Sequence, residues 1–401
     1  MGKLHIAIVG AGLGGLALGQ ALKRAGVGFD VYEFDQALDS RPQGYRLRID
    51  AGGQQALAQV LPPELYGLFR ATASSAATSG RFLAPSLEPT PGRAPQSWHV
   101  DAPSPGEGGQ AADVSVNRRS LREILVCGIE GHVHFGQGLS HYALRDDGRV
   151  ELRFGGSAAA VACDALVGAD GVNSRVRLQL APLAVPADTG AICFYGKAEL
   201  QRLGEGAAAL AGTNIVFADG FAAILDQMRF AAVRAAAGCK LTPTPDYLYW
   251  SVIGPGARFG LEPGERLQAA QIREMLVALT ESWHPALRQV WLQSQAADIA
   301  MLPVRSGRPE APWPAGPVTL LGDAIHAMSP AGGLGANTAL ADAAALAEAI
   351  AQAGAGAGLR NGLARALARY EADMRQRACQ AVERSNHGAA RLFAPARLGD
   401  R

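Results

Sequence analysis

An α/β fold is predicted, a doubly wound parallel sheet joined to a mostly antiparallel sheet and a C-terminal helix, and three observations predict it. Three short apolar runs, residues 4–9, 164–168 and 318–321, each lead directly into a glycine turn, as strands buried on both faces do at their carboxyl ends. Between residues 184 and 303 the pattern changes to runs such as Gly190-Ala191-Ile192-Cys193-Phe194-Tyr195-Gly196 and Tyr247-Leu248-Tyr249-Trp250-Ser251-Val252-Ile253, aromatic or β-branched and bounded by Gly and Pro. Over residues 363–392, Leu363, Leu367, Tyr370, Met374 and Val382 recur among many charges, the spacing of an amphipathic helix that packs on the first unit. The expected boundaries are 1–183 with 304–401 for the parallel unit and 184–303 for the antiparallel one. A surface insertion rich in Pro, Gly and Ser is expected over about 84–112.

The first run ends in Gly10-Ala11-Gly12-Leu13-Gly14-Gly15, and residues 16–25 follow with helical spacing and no breaker. This is a dinucleotide fingerprint in its strand, turn and helix setting, so the unit is Rossmann-like. Gly10 permits the tight turn, Gly12 lets a pyrophosphate approach the main chain, and Gly15 allows close helix packing. A second strand over residues 29–32 ends at Glu33, where a carboxylate accepts hydrogen bonds from an adenosine ribose. An acid there disfavours a phosphorylated ribose, so FAD or NAD fits better than NADP as the resident nucleotide.

The middle run enters Asp170-Gly171-Val172-Asn173-Ser174-Arg175-Val176-Arg177, a glycine turn carrying a carboxylate and then basic residues. The last run reaches Gly322 and Asp323, then a turn with Gly332, Gly333 and Gly335, then a helix from about Asn337. Glycines there let the backbone approach a ligand, and a helix N-terminus favours negative charge such as that of a reduced flavin ring.

With these three motifs in order, the chain resembles the single-component FAD-dependent aromatic hydroxylases, flavoprotein monooxygenases of the p-hydroxybenzoate and salicylate hydroxylase type, over most of its length. The resemblance implies that Gly10, Gly12, Leu13, Gly14, Gly15 and Glu33 hold the ADP part of FAD, with Phe34 where many relatives place an arginine. Asp170, Gly171, Ser174 and Arg177 match the middle DGxxSxxR pattern, and Gly322, Asp323, His326, Pro330, Gly335 and Asn337 match the last, Gly333 and Ala336 lying in the same turn. Asn117-Arg118-Arg119-Ser120-Leu121 matches an Arg-x-x-Leu helix start, so Arg118, or Arg119 in the other register, reaches toward the flavin. Arg46 or Arg48 contacts the cofactor from a glycine-containing strand.

The implied reaction has NADPH or NADH reduce FAD and oxygen pass from O2, through a flavin C4a-hydroperoxide, to an aromatic or polycyclic apolar molecule, by hydroxylation or epoxidation. The Pro330 carbonyl lies beside that chemistry in the family. Tyr195 and His326 are the catalytic candidates for a base, with Lys197 and Arg234 behind them. The apolar substrate is expected from Leu225, Met228, Phe230 and Trp250, while Arg229 and Arg234 keep an acid open. No second dinucleotide fingerprint is present; Gly52-Gly53 lacks the strand and helix setting. A flavin dehydrogenase or reductase would use the same motifs. A halogenase shares the scaffold, but its Trp-x-Trp-x-Ile-Pro signature is missing.

Composition bounds the remaining classes. With 401 residues and 48% hydrophobic content, the chain can bury a sizeable core. A formal charge of +1, from 37 basic and 36 acidic residues, gives no field to attract nucleic acid or an anionic membrane. Cys127, Cys163, Cys193, Cys239 and Cys379 are scattered without CxxC spacing, so buried thiols in a reducing cytoplasm are expected rather than a metal site or disulfides. Five glycines interrupt the apolar start after Lys3, and Ile6 stands where a myristoylation motif needs Ser or Thr, so neither a secretory leader nor a lipid anchor is expected. A monomer or homodimer is expected.

Overall fold

The computed structural model describes residues 4–40, 44–75, 80–90, 112–156, 159–218, 220–231, 238–354 and 359–393. From the N-terminus, β1 (His5–Val9) leads into α1 (Leu13–Arg24), β2 (Gly28–Tyr32), β3 (Leu47–Ile49), α2 (Ala51–Val60), α3 (Pro63–Ala71) and β4 (Gly80–Leu83). After the insertion come β5 (Val114–Val116), α4 (Arg118–Val126), β6 (Val133–His134), β7 (Leu139–Leu144), β8 (Val150–Phe154), β9 (Ala160–Cys163), β10 (Ala165–Gly168) and α5 (Arg175–Leu180). The middle of the chain supplies β11 (Ala187–Glu199), α6 (Leu200–Leu203), α7 (Gly206–Ala209), β12 (Thr213–Ala218), β13 (Phe221–Met228), β14 (Tyr247–Pro255), α8 (Ala269–Leu279), α9 (Pro285–Gln293) and β15 (Ala300–Ser306). It closes with β16 (Val318–Leu320), α10 (Asp323–His326), α11 (Leu334–Gly354) and α12 (Leu359–Phe393).

The three apolar runs of the sequence become neighbours in one parallel sheet of order β16-β10-β1-β2-β6. Their carboxyl ends therefore lie side by side, and the three glycine turns are gathered at one edge of the sheet. A largely buried core surrounds it, with β10 buried along its whole length. The helix after the last turn begins at Leu334, three residues earlier than the pattern placed it. The C-terminal amphipathic pattern forms α12, with Leu363, Leu367, Tyr370 and Met374 inside.

The second sheet has order β15-β11-β14-β13-β12-β4 and is antiparallel except where β4 pairs with β12. It is thus not drawn from residues 184–303 alone: β4 comes from before the insertion, and β15 continues to Ser306. Both faces of this sheet are covered. On the outer face Phe194, Leu225, Trp250 and Val252 pack with Leu276, Val290 and Trp291 of α8 and α9. On the inner face Cys193, Ile215, Ala222, Ile224 and Ile253 pack against Ala331 and Leu392, with Tyr195 at the margin. Leu225 and Trp250, expected at the substrate, therefore belong to the far core; period-two alternation turns their neighbours inward instead.

Two further expectations need correction. Gly52 and Gly53 lie in the first turn of α2, which follows β3, but β3 pairs antiparallel with β5, which is not the βαβ setting of a dinucleotide site. Cys127 and Cys239 form a disulfide across 112 residues, with Cα atoms 5.5 Å apart. Packing brings them together: Cys127 caps the end of α4, and Glu123 of α4 accepts hydrogen bonds from the Thr242 amide (2.8 Å) and hydroxyl (2.6 Å), drawing the 238–242 segment onto the helix. Of the other cysteines, Cys163 and Cys193 are buried thiols pushed up to about 12 by burial. Alkylation of the unfolded, unreduced chain is expected to label Cys163, Cys193 and Cys379 alone, and Cys239→Ser to cost about 2–4 kcal/mol in a denaturant melt. Labelling of Cys127 or Cys239 as well would show that the bond does not form. In the predicted insertion, residues 84–90 make a turn that returns Pro89 to Leu83, and 91–111 lie outside the described residues.

Candidate functional site

The fingerprint turn is built by close contact. A Cβ on Gly10, whose φ is +110°, would lie 2.3 Å from the Ala169 carbonyl oxygen, and one on Gly15 would lie 2.0 Å from the Gly10 oxygen. On Gly14 it would meet Leu321 at 2.6 Å, so this glycine binds the first turn to the last. Gly12 differs: nothing stands within 4 Å of its Cβ position. It is also the N-cap of α1 and makes no side-chain cap hydrogen bond, so the open space lies at the head of a 12-residue helix. That is the fit expected for an anionic pyrophosphate. Leu13, Gly14 and Gly15 form the first turn of α1, and all three are buried.

Glu33 follows β2 and is buried. Its carboxylate accepts the Ala11 amide at 2.6 Å and the Asp35 amide at 2.9 Å, which holds it beside the turn. Phe34 projects outward, 74% exposed, over Gly138. The sequence reading missed Arg122. Wholly inside the protein, it donates through Nη2 and Nε to the Ala11 carbonyl (3.0 and 3.3 Å) and through Nη1 to the Leu38 carbonyl (2.7 Å), so the fingerprint turn is gripped from both sides. Arg118 starts α4 beside Gly44, while Arg119 is exposed and paired with Asp39 and Glu123, so Arg118 is the register that faces inward.

The middle motif acts as a brace. Asp170 accepts hydrogen bonds from Ser174 Oγ and from the Arg175 amide at 2.7 Å; burial pushes its carboxyl up while these bonds pull the other way. Ser174 caps α5 by accepting the Arg177 amide at 2.9 Å. Gly171 takes φ +75° in the turn. Arg177 is buried and donates to the Ala324 carbonyl at 2.8 Å, directly behind Asp323.

In the last motif Gly322 turns the chain with φ +63°, and Asp323 stands exposed at the head of α10. Its Oδ1 is 3.7 Å from the Cβ position of Gly335, so the carboxylate and the start of α11 border one groove. Pro330 is exposed, and its carbonyl accepts the Gly333 amide at 3.1 Å, leaving one lone pair over. Gly333 (φ +64°) lies close to Arg48, and Gly335 and Ala336 are half-buried in the first turn of α11. Asn337 is satisfied by protein: Nδ2 donates to the Arg48 (3.0 Å) and Gly333 (2.9 Å) carbonyls, and Oδ1 accepts the Asp50 amide. It fixes β3 to the glycine turn.

His326 is entirely buried, with Nε2 2.7 Å from Asp342 Oδ2; Arg377 donates to the other oxygen at 3.1 Å. It underpins the groove rather than lining it. Burial pushes this imidazole down, but Asp342, with help from Asp323, outweighs that and leaves it raised. Arg46 forms a half-buried ion pair with Asp226 on the inner face of the second sheet, 2.5 Å apart. Arg48 pairs with Asp113, Arg229 is exposed at the sheet edge near Asp246, and Arg234 lies outside the described residues. Tyr195 edges onto Tyr45 with ring centroids 6.4 Å apart. The motif residues thus converge on a groove running from Gly12 past Asp323 to the turn at Gly333, which faces the inner face of the second sheet. Among the described residues no helix is long and apolar enough to cross a membrane.

A family model described as FAD binding domain matches residues 257–385. Over 98% of its length the chain is 33% identical to the dual O-methyltransferase/FAD-dependent monooxygenase CTB3 of Cercospora beticola, and it spans about half of that relative, 47%. A solved structure described as an FAD containing monooxygenase from Photorhabdus luminescens superposes with a TM-score of 0.80 at 27% identity, covering 98% of this chain and 99% of that one. Klebsiella pneumoniae HpxO, solved with FAD and uric acid, shares the fold with a TM-score of 0.75 at 20% identity, covering 98% and 89% of the two chains. Sequence likeness to FAD-dependent monooxygenases along nearly the whole chain agrees with the groove, and the chain carries the fold of those proteins and, over residues 257–385, an FAD binding domain.

Proposed function

We propose that the chain binds FAD in the groove and, with NADPH or NADH and O2, inserts one oxygen atom into an aromatic or polycyclic apolar small molecule held under the second sheet. The observation that carries this is the opposition of two walls. The turn over residues 330–333 meets an inner sheet face of Cys193, Ile215, Ala222, Ile224 and Ile253, apolar enough to keep water from a reactive centre. Likeness to a monooxygenase joined to an O-methyltransferase favours a hydroxylated product, since a hydroxyl oxygen is a group such a transferase can methylate.

When bound, FAD supplies the redox chemistry, taking hydride from the nicotinamide and activating dioxygen. Gly12 and the first turn of α1 receive the pyrophosphate, and Glu33 the adenosine ribose. Asp323 binds the ribityl hydroxyls, while the amides at the start of α11 face the ring. Arg46, Arg48 and Arg118 come from the segments that flank the groove. Arg177 and Asn337 position these groups through the main chain, and Phe34 shields the adenine end. Pro330 offers its remaining carbonyl lone pair at the reacting side; Tyr195 is placed to orient substrate, and His326 acts from beneath by holding α10.

Asp323→Ala is expected to lower FAD retention at least about ten-fold, the loss of a charge-assisted contact, read from flavin absorbance per protein after gel filtration. A variant that stays fully yellow would contradict the ribityl contact. The reaction itself is tested by screening phenolic, polyketide and indolic compounds for accelerated NAD(P)H consumption and analysing products formed under 18O2. A product lacking the label would refute oxygen insertion and leave dehydrogenation.

A further inference from the structure

The inner face of the second sheet carries one cation that the FAD motifs leave unused. Along β11, Ala191 and Cys193 turn toward the core that contains Ala331, and Tyr195 and Lys197 follow with the same parity. Phe194 and Ala198 pack on the opposite face, and a Cβ on Gly196 would run into Trp250 there at 2.5 Å. Lys197 therefore projects to the groove side. Its Nζ is 3.4 Å from Asp298 Oδ1, 4.9 Å from the ring centre of Tyr45 and 5.7 Å from that of Tyr247. Tyr45 donates to the same Asp298 oxygen at 3.3 Å, and burial, reinforced by Asp298, pushes its hydroxyl up, so it remains a donor. Tyr247 donates to the Tyr45 carbonyl at 2.5 Å, which fixes the aromatic pair. Tyr45 also leads into β3, whose Arg48 carbonyl is bonded to Asn337, so the ammonium and the glycine turn are tied to one short segment.

The two cations of this wall differ. Arg46 is spent on Asp226, which also takes the hydroxyls of Ser115 (3.1 Å) and Thr213 (3.0 Å). Lys197 has three donors and, among the described residues, is held by an ion pair with Asp298; its side chain is 24% exposed and that of Asp298 25%, so an incoming oxygen can reach it. We propose that Lys197 is the specificity-determining residue of this cleft, recognising an acidic ring hydroxyl, a phenol or enol oxygen, on a planar aromatic substrate while Asp298 and Tyr45 hold the ammonium in place. The proposal rests on the reading above that the cleft takes an aromatic molecule. A carboxylate is the poorer match: its fork suits a guanidinium, and the nearest one is committed to Asp226. The tyrosine faces suit a flat ring and stabilise the ammonium that meets it.

Three probes of equal ring size test this on the FAD-loaded protein by equilibrium dialysis: 2-naphthol, 2-methoxynaphthalene and 2-naphthoate. Wild type is expected to bind the naphthol about ten-fold or more tightly than the methyl ether, the range of a charge-assisted hydrogen bond, and more tightly than the naphthoate. Lys197→Met is expected to bring the naphthol-to-ether ratio within about two-fold of unity with FAD content unchanged, and Lys197→Arg to restore most of it. A purely structural lysine would move the melting temperature and leave that ratio alone. Lys197→Gln serves the same purpose if the methionine variant does not fold. A preserved ratio in Lys197→Met, a wild type that favours the naphthoate, or one that binds no probe overturns the proposal. Failure of the wild type to retain FAD would instead overturn the wider reading, and is seen in the same samples as absence of flavin absorbance.

Discussion

An alanine at position 15 is expected to yield a protein that melts early and retains no FAD. The added Cβ would sit 2.0 Å from the Gly10 carbonyl oxygen and 3.3 Å from the Ala169 Cβ. Backbone and a neighbouring turn cannot rotate aside as a flexible side chain does, so α1 must move away from β1. Overpacking of this kind costs about 3 kcal/mol or more, a large share of the roughly 5–15 kcal/mol that holds a domain together. Gly12→Ala is the matched control. Its Cβ meets nothing within 4 Å, so the fold should lose no more than about 1 kcal/mol while cofactor binding falls steeply, because the methyl group enters the space in front of α1. Melting curves and flavin content of the two variants separate the roles. If Gly12→Ala unfolds and Gly15→Ala stays stable and yellow, the two glycines have been assigned the wrong way round.

Asp342→Ala is expected to cost about 3–5 kcal/mol, because it leaves the buried His326 and the charged end of Arg377 without their carboxylate. The same pair imposes a pH dependence. His326 is raised in the folded protein above its ordinary 6.5, as the Asp342 carboxylate overcomes burial. A group raised on folding contributes its full stabilisation below the unfolded value and loses it as pH climbs through the folded one. Wild-type stability should therefore decline from about pH 6.5 upward, and His326→Gln should flatten that decline. Denaturant melts across this range check it; a wild type that gains stability there, or an Asp342→Ala protein that melts like wild type, would sink the assignment.

The gathering of the three glycine turns was legible because their signals are local. A strand, a glycine turn and a helix start occupy about 20 consecutive residues, the second and third turns carry a carboxylate, and that of the first follows at the end of the next strand. Arg122 was missed although it lies one helical turn beyond Arg118, since nothing in a sequence says which of several arginines will bury its fork against a carbonyl. The facing of β13 and β14 was misread for a different reason. Alternation shows which residues share a side, but both sides of this sheet are covered, so apolarity does not tell the groove from the far core. β3, only three residues long, is too short to display any period, and it took its meaning from Asn337, nearly three hundred positions away. The Cys127–Cys239 bond likewise depends on a contact between α4 and a distant connection that no spacing rule encodes.

The parallel pairing of β4 with β12 bears on any attempt to divide the chain. Residues 213–216 take their outer hydrogen-bonding partner from residues 80–83, which belong to the N-terminal third of the polypeptide. A fragment cut at 184 and 303 would lose that strand and expose a bare ladder of amides and carbonyls along Ile215 and Val216, the kind of margin through which separated sheets stick to one another. Truncated versions should precipitate where the intact chain stays in solution, and co-expression with the N-terminal piece should rescue them.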